Sequence, residues 1–314
     1  MAIRHSPESA GSPAQEHAAD AKRSGIMAEN KNKGKLYLCA TPIGNLEDIT
    51  LRVLRTLKEV DLIAAEDTRN SIHLLNHFDI HTPMTSYHEY NRIEKAYDLA
   101  RRMENGQNVA LITDAGTPGI SDPGEDLVRI CMERGIEVTS LPGAAACVTA
   151  LSESGLPTRR FAFEAFLPSD KRQRARILEE LKTETRTTIL YEAPHHLKKT
   201  LALLRDTLGD RRLTICRELT KRYETILPMT LEAACRYYEQ EEPRGEYVLV
   251  LEGRSREELD REQQASWEQM SLTEHMARYT ARGIDRKEAM KQVARDRGIG
   301  KRDVYRMLLE EEKD

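Results

Sequence analysis

The sequence lacks the features that mark several large classes of protein. Its five cysteines are scattered and form no Cys-x-x-Cys pair, which argues against a disulfide framework and against a cysteine zinc site. No apolar run approaches the roughly 20 residues needed to cross a bilayer. The net charge of −4 gives no overall attraction to nucleic acid, so any such surface must be a local patch. These absences predict a cytoplasmic protein with buried thiols and no membrane partner.

Familiar nucleotide and metal motifs are missing as well. Neither G-x-G-x-x-G nor G-x-x-x-x-G-K-[ST] occurs in the chain. His73, His77 and His81 recur every four residues, but no carboxylate stands where a zinc-binding helix would need it. We therefore predict a polar helix surface at these histidines and no bound metal.

What the chain does contain is a repeated alternation of short apolar runs with amphipathic segments. The apolar runs, interpreted as strands, are 35–39, 61–65, 109–113, 137–141, 160–166, 187–191, 213–216 and 245–251. Strands that alternate with helices predict mainly parallel sheets covered on both faces. The expected fold class is α/β, with two α/β domains and a small C-terminal helical unit that resembles a helix-turn-helix.

A break at Gly155-Leu156-Pro157 predicts the boundary between the two α/β domains. The first domain is expected at 34–155 and the second at 156–254. Residues 1–33 lack periodicity and are expected to form a disordered extension, in which Met27 is an alternative start.

The C-terminal part is set apart by composition. A charged linker is predicted at 254–264, and three short helices follow within 265–314. Asp285 is the predicted N-cap of the middle helix. Between Arg278 and Arg306 there are ten Lys or Arg and four Asp or Glu, a local surplus of six positive charges. This surplus fits phosphate binding, and a merely solvated helix surface is the competing interpretation.

The loops that follow the predicted strands are the candidate ligand-binding elements, because ligands of open α/β sheets bind beyond the carboxyl ends of the strands. Several of these loops are rich in Gly, Pro and Ala, which lets backbone groups approach a ligand closely. They are Thr41–Asn45, Glu66–Arg69, Asp114–Gly124, Pro142–Ala146, Tyr191–His196 and Arg217–Arg222. The pattern predicts a ligand held mainly by main chain.

Five motifs carry a resemblance to a known family. They are Thr41-Pro-Ile-Gly-Asn-Leu-Glu-Asp-Ile-Thr50, Ala65-Glu-Asp-Thr-Arg69, Asp114-Ala-Gly-Thr-Pro-Gly-Ile-Ser-Asp-Pro-Gly124, Leu141-Pro-Gly-Ala144 and Tyr191-Glu-Ala-Pro-His195. Together they resemble the ribosomal RNA small subunit methyltransferase I family, a branch of the tetrapyrrole methylase superfamily. Relatives that methylate tetrapyrroles often have Gly-Asp-Pro where this chain has Gly116-Thr117-Pro118, and this departure favours the ribosomal branch.

The resemblance implies a function and a set of contacts. It implies S-adenosylmethionine bound in a cleft between the two α/β domains, and methyl transfer to the ribose 2′-oxygen of a decoding-centre cytidine in 16S rRNA of the 30S subunit. It also implies a homodimer. Carried over by motif, the cofactor contacts are Pro42, Ile43, Asp114, Ala115, Gly116, Thr117, Ile120, Ser121, Ala145, Ala146, Tyr191 and Glu192.

A ribose hydroxyl is a poor nucleophile, so a carboxylate near it would help as a base or by stabilising charge. The predicted catalytic candidates are Asp67, Glu66 and Glu192, and Asp114 and Glu218 also stand at strand ends. For each of them, an ion pair or a loop cap is the competing interpretation.

The cations predicted to hold RNA phosphates fall in two groups. Arg69, Lys221 and Arg222 follow strands, and the C-terminal helices contribute Arg286, Lys287, Lys291, Lys301 and Arg302. Since only 5% of the residues are aromatic, we expect recognition through backbone and shape more than through base stacking.

Two other functions stay open at this point. A small-molecule methyltransferase of the tetrapyrrole type would not need the basic helical tail. A non-catalytic RNA-binding or assembly protein would not bind the cofactor.

Overall fold

The computed structural model describes residues 33–311, and its contacts divide the chain into two compact units. The first unit runs to Ala150 and also includes Arg217–Thr225, while the second comprises Leu151–Cys216 and the residues from Ile226 onward. The segment Arg217–Thr225 thus belongs to the first unit, although along the chain it follows strands of the second.

The first unit is built on a parallel five-stranded sheet. Its strands are β1 Lys35–Cys39, β2 Leu62–Ala65, β3 Met84–Ser86, β4 Val109–Ile112 and β5 Glu137–Leu141. Its helices are α1 Leu51–Glu59, α2 Thr68–His77, α3 Arg92–Glu104, α4 Gly124–Glu133 and, at its end, α5 Ala146–Glu153. The strand order is β3-β2-β4-β1-β5, and all four neighbouring pairs are parallel, as predicted.

Helices cover both faces of this sheet, which explains the composition of its strands. Every residue of β2 (Leu-Ile-Ala-Ala) and β4 (Val-Ala-Leu-Ile) is buried, because neither face meets water. One face packs against Leu99 of α3 and Leu127 of α4, and the other packs against Leu57 of α1 and Leu75 of α2. With both faces closed by apolar side chains, the carboxyl edge of the sheet is where polar groups gather.

The second unit contains a mixed sheet. Its strands are β6 Phe161–Phe166, β7 Thr187–Glu192, β8 Arg212–Arg217, β9 Thr225–Thr230 and β10 Tyr247–Leu251. Its first helices are α6 Lys171–Leu181, α7 Pro194–Leu208 and α8 Leu231–Gln240. The order is β6-β7-β10-β8-β9, with β6 and β7 parallel and β7 and β10 antiparallel. The expectation of mainly parallel strands therefore holds for the first sheet and is wrong at β10.

Three elements lie where the sequence predicted none. β3 is only three residues long, too short for a periodic pattern. β9 contains Pro228, a residue that argues against a strand when it is seen in sequence alone. The predicted linker at 254–264 is mostly the helix α9 Arg256–Glu268. Its polar sequence lacks the apolar stripe by which a helix is predicted.

The C-terminal part of the second unit is a small helical bundle, as predicted. It consists of α10 Leu272–Thr280, α11 Arg286–Asp296 and α12 Lys301–Glu311, packed around Leu272, Val293 and Leu308 among others. Asp285 caps α11 as expected, because its side chain accepts the N–H groups of Lys287 and Glu288.

A buried polar network ties this bundle together. His275 has no exposed surface, its Nε2 lies 3.1 Å from Asp296 Oδ2, and its Nδ1 accepts a hydrogen bond from Arg297 Nε at 3.2 Å. The ring of Trp267 stacks on the imidazole at 4.0 Å. Burial lowers the pKa of His275, although its bond to Asp296 opposes that shift. The neutral ring therefore serves as a packed connector between helices.

The remaining sequence expectations concern termini, cysteines and membranes. Residues 1–32, which make up nearly all of the predicted extension, lie outside the described residues. Four cysteines are buried and Cys235 is half-buried, as expected. No helix within 33–311 is long and apolar enough to cross a membrane.

Candidate active site

The loops after β1, β4 and β5 are tied to one another by hydrogen bonds at the carboxyl edge of the first sheet. Thr41 and Gly116 exchange backbone bonds, with N···O distances of 2.9 and 3.1 Å. The Thr41 hydroxyl donates to the carbonyl of Thr113 at 3.1 Å. The Thr117 hydroxyl donates to the carbonyl of Ala144 at 2.9 Å. The structure therefore brings together three of the loops that the sequence singled out.

Glycines at this edge allow the loops to approach closely. Gly116 has a φ of +86°, and a Cβ there would lie 3.4 Å from Ile43 Cγ2 and 3.6 Å from the carbonyl oxygen of Ala144. A Cβ at Gly143 would lie 2.6 Å from Ala40 Cβ, closer than real atoms come. The positive φ at Gly116 and the lack of room at Gly143 both favour glycine, so main chain lines this edge.

The long loop between β4 and α4 is organised by Asp122. Its carboxylate accepts hydrogen bonds from the N–H groups of Gly119, Ile120 and Gly124, at 2.7–3.1 Å. Ser121, at the tip, adopts a φ of +67°. The Ile120 side chain is nearly half exposed. The loop is therefore a fixed turn that presents Ile120 and Ser121 outward, and sequence reasoning did not identify Asp122 as its organiser.

Pro42 lies in the loop after β1, and Ala145 and Ala146 lie at the start of α5. Pro42 is half-buried and Ile43 is buried in the loop after β1. Ala146 is the first residue of α5, and the Ala145 carbonyl accepts the N–H groups of Val148 and Thr149.

Two neighbouring carboxylates after β2 have different surroundings. Burial raises the pKa of Glu66, and the carboxylates of Asp114, Asp122 and Asp67 raise it further, while the Asp114 N–H, 3.5 Å away, lowers it. Asp67 caps α2 through the Arg69 N–H and forms a two-point ion pair with the guanidinium of Arg69. These bonds lower the pKa of Asp67 to about 2. Glu66 is thus the carboxylate of this pair that holds a proton more readily.

Asp114 lies beside these residues in the same unit. Its carboxylate accepts a hydrogen bond from Asn70 Nδ2 at 3.4 Å. Ala115 accepts the Thr113 hydroxyl through its carbonyl at 3.2 Å. Both residues belong to the strand exit and are held in place by local bonds.

In the second unit, Tyr191 and Glu192 end β7. Glu192 is 6% exposed, and its carboxylate accepts the Thr200 hydroxyl at 2.5 Å and the Ala193 N–H at 2.8 Å. The Tyr191 ring contacts the rings of Phe163 and Phe166, with centroids 5.0 and 5.6 Å apart. The hydrogen bonds of Glu192 therefore join the end of β7 to α7.

The segment Arg217–Thr225 packs on the loop after β1. A Cβ at Gly44 would lie 2.4 Å from Lys221 Cγ and 2.8 Å from Thr220 Oγ1. Glu218 and Thr220 have φ values of +53° and +65°, a region that L-residues seldom adopt. Such strain persists only where the surroundings fix it, and it concentrates at functional sites. The close packing on Gly44 places Lys221 beside the loop that contains Pro42 and Ile43.

The predicted phosphate-binding cations differ in exposure and pairing. The Arg69 side chain is 89% exposed, and Arg222 is exposed beside the ring of Tyr223. Lys221 pairs with Glu218 at 2.9 Å. In the C-terminal bundle, Lys291 pairs with Glu288 at 2.7 Å. The other predicted cations of the bundle lie at its surface, with Lys301 half-buried and the rest exposed: Arg286, Lys287, Lys301 and Arg302.

Within 33–311, no group of three or more His, Cys, Asp or Glu side chains is arranged to hold a metal ion. His73 and His77 lie on α2, and His81 follows the helix, where it pairs with Asp79.

Comparison with known proteins identifies the family. The profile of the tetrapyrrole (corrin/porphyrin) methylases matches residues 35–235. A ribosomal RNA small subunit methyltransferase I from Halalkalibacterium halodurans is 50% identical, over 90% of this chain and 97% of its own length. The protein of that name from Synechocystis sp. is 47% identical, over 90% of this chain and 99% of its own length.

A solved structure extends the comparison to the fold. Uroporphyrin-III C-methyltransferase from Thermus thermophilus, complexed with S-adenyl homocysteine, matches with a TM-score of 0.50 at 19% identity, over 70% of this chain and 97% of that one. At this identity the likeness shows the fold alone, and the family is shown by the two relatives and the matching profile. The chain belongs to the ribosomal RNA small subunit methyltransferase I family, within the tetrapyrrole methylases.

Proposed function

We propose that this protein uses S-adenosylmethionine to methylate the ribose 2′-oxygen of a decoding-centre cytidine in 16S rRNA, acting on the 30S subunit. The observation that supports this most directly is the set of bonded loops at the carboxyl edge of the first sheet, found in a chain of this family. The relatives' shared name supports rRNA as the substrate class.

The residues of this edge fit the cofactor. Gly116 has a φ of +86°, which favours glycine, and it leaves a cradle beside Ile43 in which a ligand can meet the backbone directly. Residues proposed to hold it in this unit are Pro42, Ile43, Asp114, Ala115, Gly116, Thr117, Ile120, Ser121, Ala145 and Ala146, and those proposed from the second unit are Tyr191 and Glu192. When bound, the sulfonium supplies an electrophilic methyl group. The fixed loops would align the acceptor oxygen with it and exclude water.

Among the predicted carboxylates, Glu66 is the one we propose to accept the hydroxyl proton. It is half-buried, its pKa is raised, and it lies at the loop edge beside Asp114. Asp67 is engaged with Arg69, and Glu192 is buried against Thr200. A carboxylate with a raised pKa is a stronger base than one whose pKa is held near 2.

The RNA is proposed to lie against two basic surfaces, each described within its own unit. One holds Arg69, Lys221 and Arg222 at the loop edge of the first unit. The other is the C-terminal bundle, with Arg286, Lys287, Lys291, Lys301 and Arg302. Phosphate contacts of this kind position a nucleic acid without reading its sequence.

The decisive experiment is methyl transfer from labelled S-adenosylmethionine to purified 30S subunits, followed by mapping of the modified nucleotide. We expect one labelled ribose in the decoding centre. Label in a base, or transfer to a tetrapyrrole but not to 30S subunits, would refute the proposed acceptor. Calorimetry with S-adenosylmethionine alone tests the cofactor separately, and no binding at millimolar ligand would refute the enzyme itself. The expected homodimer is measured in the same preparation by sedimentation.

A further inference from the structure

The loop between β3 and α3 lies at the same edge of the sheet as the proposed site. β3 is parallel to β2, so both strands end at that edge. The Tyr87 N–H donates to the carbonyl of Ala65 at 2.8 Å, which carries the strand pairing into the loop. The loop Tyr87–Asn91 therefore starts one strand spacing, about 4.8 Å, from the exit that contains Glu66.

This loop presents an aromatic ring to solvent. Tyr90 is 97% exposed, the highest value among the large apolar side chains of the described residues. The neighbouring Tyr87 is 1% exposed. One exposed aromatic residue is ordinary on a protein surface, so its meaning depends on how the loop is built.

Hydrogen bonds and ion pairs fix the loop. The side chain of Asn91 accepts the His88 N–H at 2.9 Å, and the Asn91 N–H donates to the His88 carbonyl at 3.0 Å. The Tyr87 hydroxyl donates to the carbonyl of Pro123 at 2.7 Å, which ties this loop to the loop between β4 and α4. Arg92, at the start of α3, pairs with Asp126 at 2.8 Å. Tyr90 is thus held out by a rigid support, which lowers the entropic cost of binding through it.

The same turn contains a polar atom without a partner. His88 Nδ1 is shielded from solvent and has no hydrogen-bond partner among the described residues. Its ring lies edge-on to the ring of Tyr90, with centroids 6.1 Å apart. Buried unsatisfied polar groups are rare in folded proteins, so this nitrogen needs an explanation, and a bound ligand is one.

A positive charge at the same edge indicates which kind of ligand the loop Tyr87–Asn91 suits. Arg69, whose side chain is 89% exposed, follows the adjacent strand β2 at this edge. An exposed aromatic ring and an exposed guanidinium at the same edge of the sheet suit an unpaired nucleotide, because the ring stacks on the base and the cation pairs with the phosphate.

We propose that Tyr90 stacks on an unpaired base of the substrate RNA next to the methylated nucleotide and so orients the target ribose toward the site. This inference rests on the proposed function and adds a base contact to the backbone recognition expected from the sequence. Tyr90 acts on the RNA and does not touch the cofactor.

The test compares Tyr90→Ala, Tyr90→Phe and the control Tyr97→Ala in 30S methylation. Tyr97 is an exposed tyrosine of α3 whose ring lies against Arg134. We expect Tyr90→Ala to lower kcat/KM by about tenfold or more, mainly through KM, since one stacked base contributes roughly this much affinity. Tyr90→Phe and Tyr97→Ala should stay within about twofold of the wild type, because a phenyl ring stacks equally well. The affinity for S-adenosylmethionine should be unchanged in all three.

Two results would overturn the inference: Tyr90→Ala with an unchanged kcat/KM, or Tyr90→Ala with an equal loss of cofactor affinity. If the wild type transfers no methyl group to 30S subunits, the proposed function fails instead. The stacking is then read separately, from a single-stranded RNA of decoding-centre sequence that contains 2-aminopurine. Quenching by the wild type and Tyr90→Phe but not by Tyr90→Ala supports the contact, and equal fluorescence in all three refutes it.

Discussion

Two arginines in different units show how one residue type serves two purposes. Arg69 lies at the loop edge of the first unit, with its side chain 89% exposed and held by Asp67. Arg297 lies in the C-terminal bundle, is 9% exposed, and donates to His275 and to two backbone carbonyls. Counting charges along the sequence treats both as part of a basic surface. Burial shows that the first can meet a ligand, whereas the second holds helices together.

The same contrast distinguishes the two regions as wholes. The loop edge keeps strained residues and half-buried carboxylates near the surface, as binding sites require. The interior of the bundle contains polar side chains whose hydrogen bonds are satisfied by one another or by backbone carbonyls. Substitutions at the edge should therefore affect binding and transfer, and those inside the bundle should affect stability.

The largest effect is expected for Gly116→Val. A β-branched residue is strained at a φ of +86°, and its side chain would enter the cradle next to Ile43. Calorimetry should show cofactor affinity reduced by about 100-fold or more, an energy of about 3 kcal/mol. Gly209→Val is the matched control, since Gly209 also has a positive φ, +76°, but no atom within 4 Å of its Cβ position. Unchanged binding by Gly116→Val would place the cofactor elsewhere.

The second prediction concerns stability. Arg297→Met should lower the unfolding free energy of the bundle by about 3 kcal/mol, because it leaves two carbonyls and the His275 ring without their buried donor. Trp267, the single tryptophan, stacks on His275, so its fluorescence reports the transition directly. Arg295→Met, at an exposed position of α11, should change stability by less than about 0.5 kcal/mol.

If Arg297→Met instead weakened RNA binding without a loss of stability, the division between the two arginines would be wrong.

The third prediction is a change in pH dependence. Since the pKa of Glu66 is raised and only its carboxylate form accepts a proton, methyl transfer should rise with pH through that pKa. Glu66→Gln should lower kcat by about 100-fold and abolish this acidic limb. A Glu66→Gln enzyme that keeps the limb would assign it to another group.

Asp67→Asn is the control for Glu66. Its kcat should stay within about twofold of the wild type, because Asp67 caps α2 and binds Arg69. In the wild type, the pKa of Asp67 is lowered from 3.8 to about 2. The folding stability that this carboxylate contributes is therefore present above pH 3.8 and lost as the pH falls through 2. Acid unfolding of Glu66→Gln and Asp67→Asn therefore separates the structural role of Asp67 from the proposed catalytic role of Glu66.

The smallest effect is expected for single surface cations of the bundle. Arg302→Ala should weaken binding of the 30S subunit about threefold and lower the salt dependence by about one counterion. Lys199→Ala, an exposed cation of α7, is the control and should leave both unchanged. Equal effects from both variants would indicate that general charge, and not this surface, attracts the RNA.

Local composition was enough to predict four of the five strands of the first sheet and the loops that follow those strands, while the three-residue β3 was missed. Apolar runs that end in Gly, Pro or Ala identify strands buried on both faces and the exits that follow them, as in Val109–Ile112 and the loop after it. The Asp285 cap is a similarly local property. Features that depend on distant neighbours were not predictable. The packing of Arg217–Thr225 on Gly44 and the exposure of Tyr90 depend on such contacts, which a single sequence does not encode in a recognisable pattern.

The location of Arg217–Thr225 has a consequence for biosynthesis. The loop after β1 is complete only when this segment, made much later, returns to pack on Gly44. At about 5–20 residues per second, translation reaches Thr225 some seconds after Ala150 has been made. The first unit therefore cannot finish folding as it leaves the ribosome. The surface next to Gly44 lacks its packing partner until much of the second unit has been synthesised.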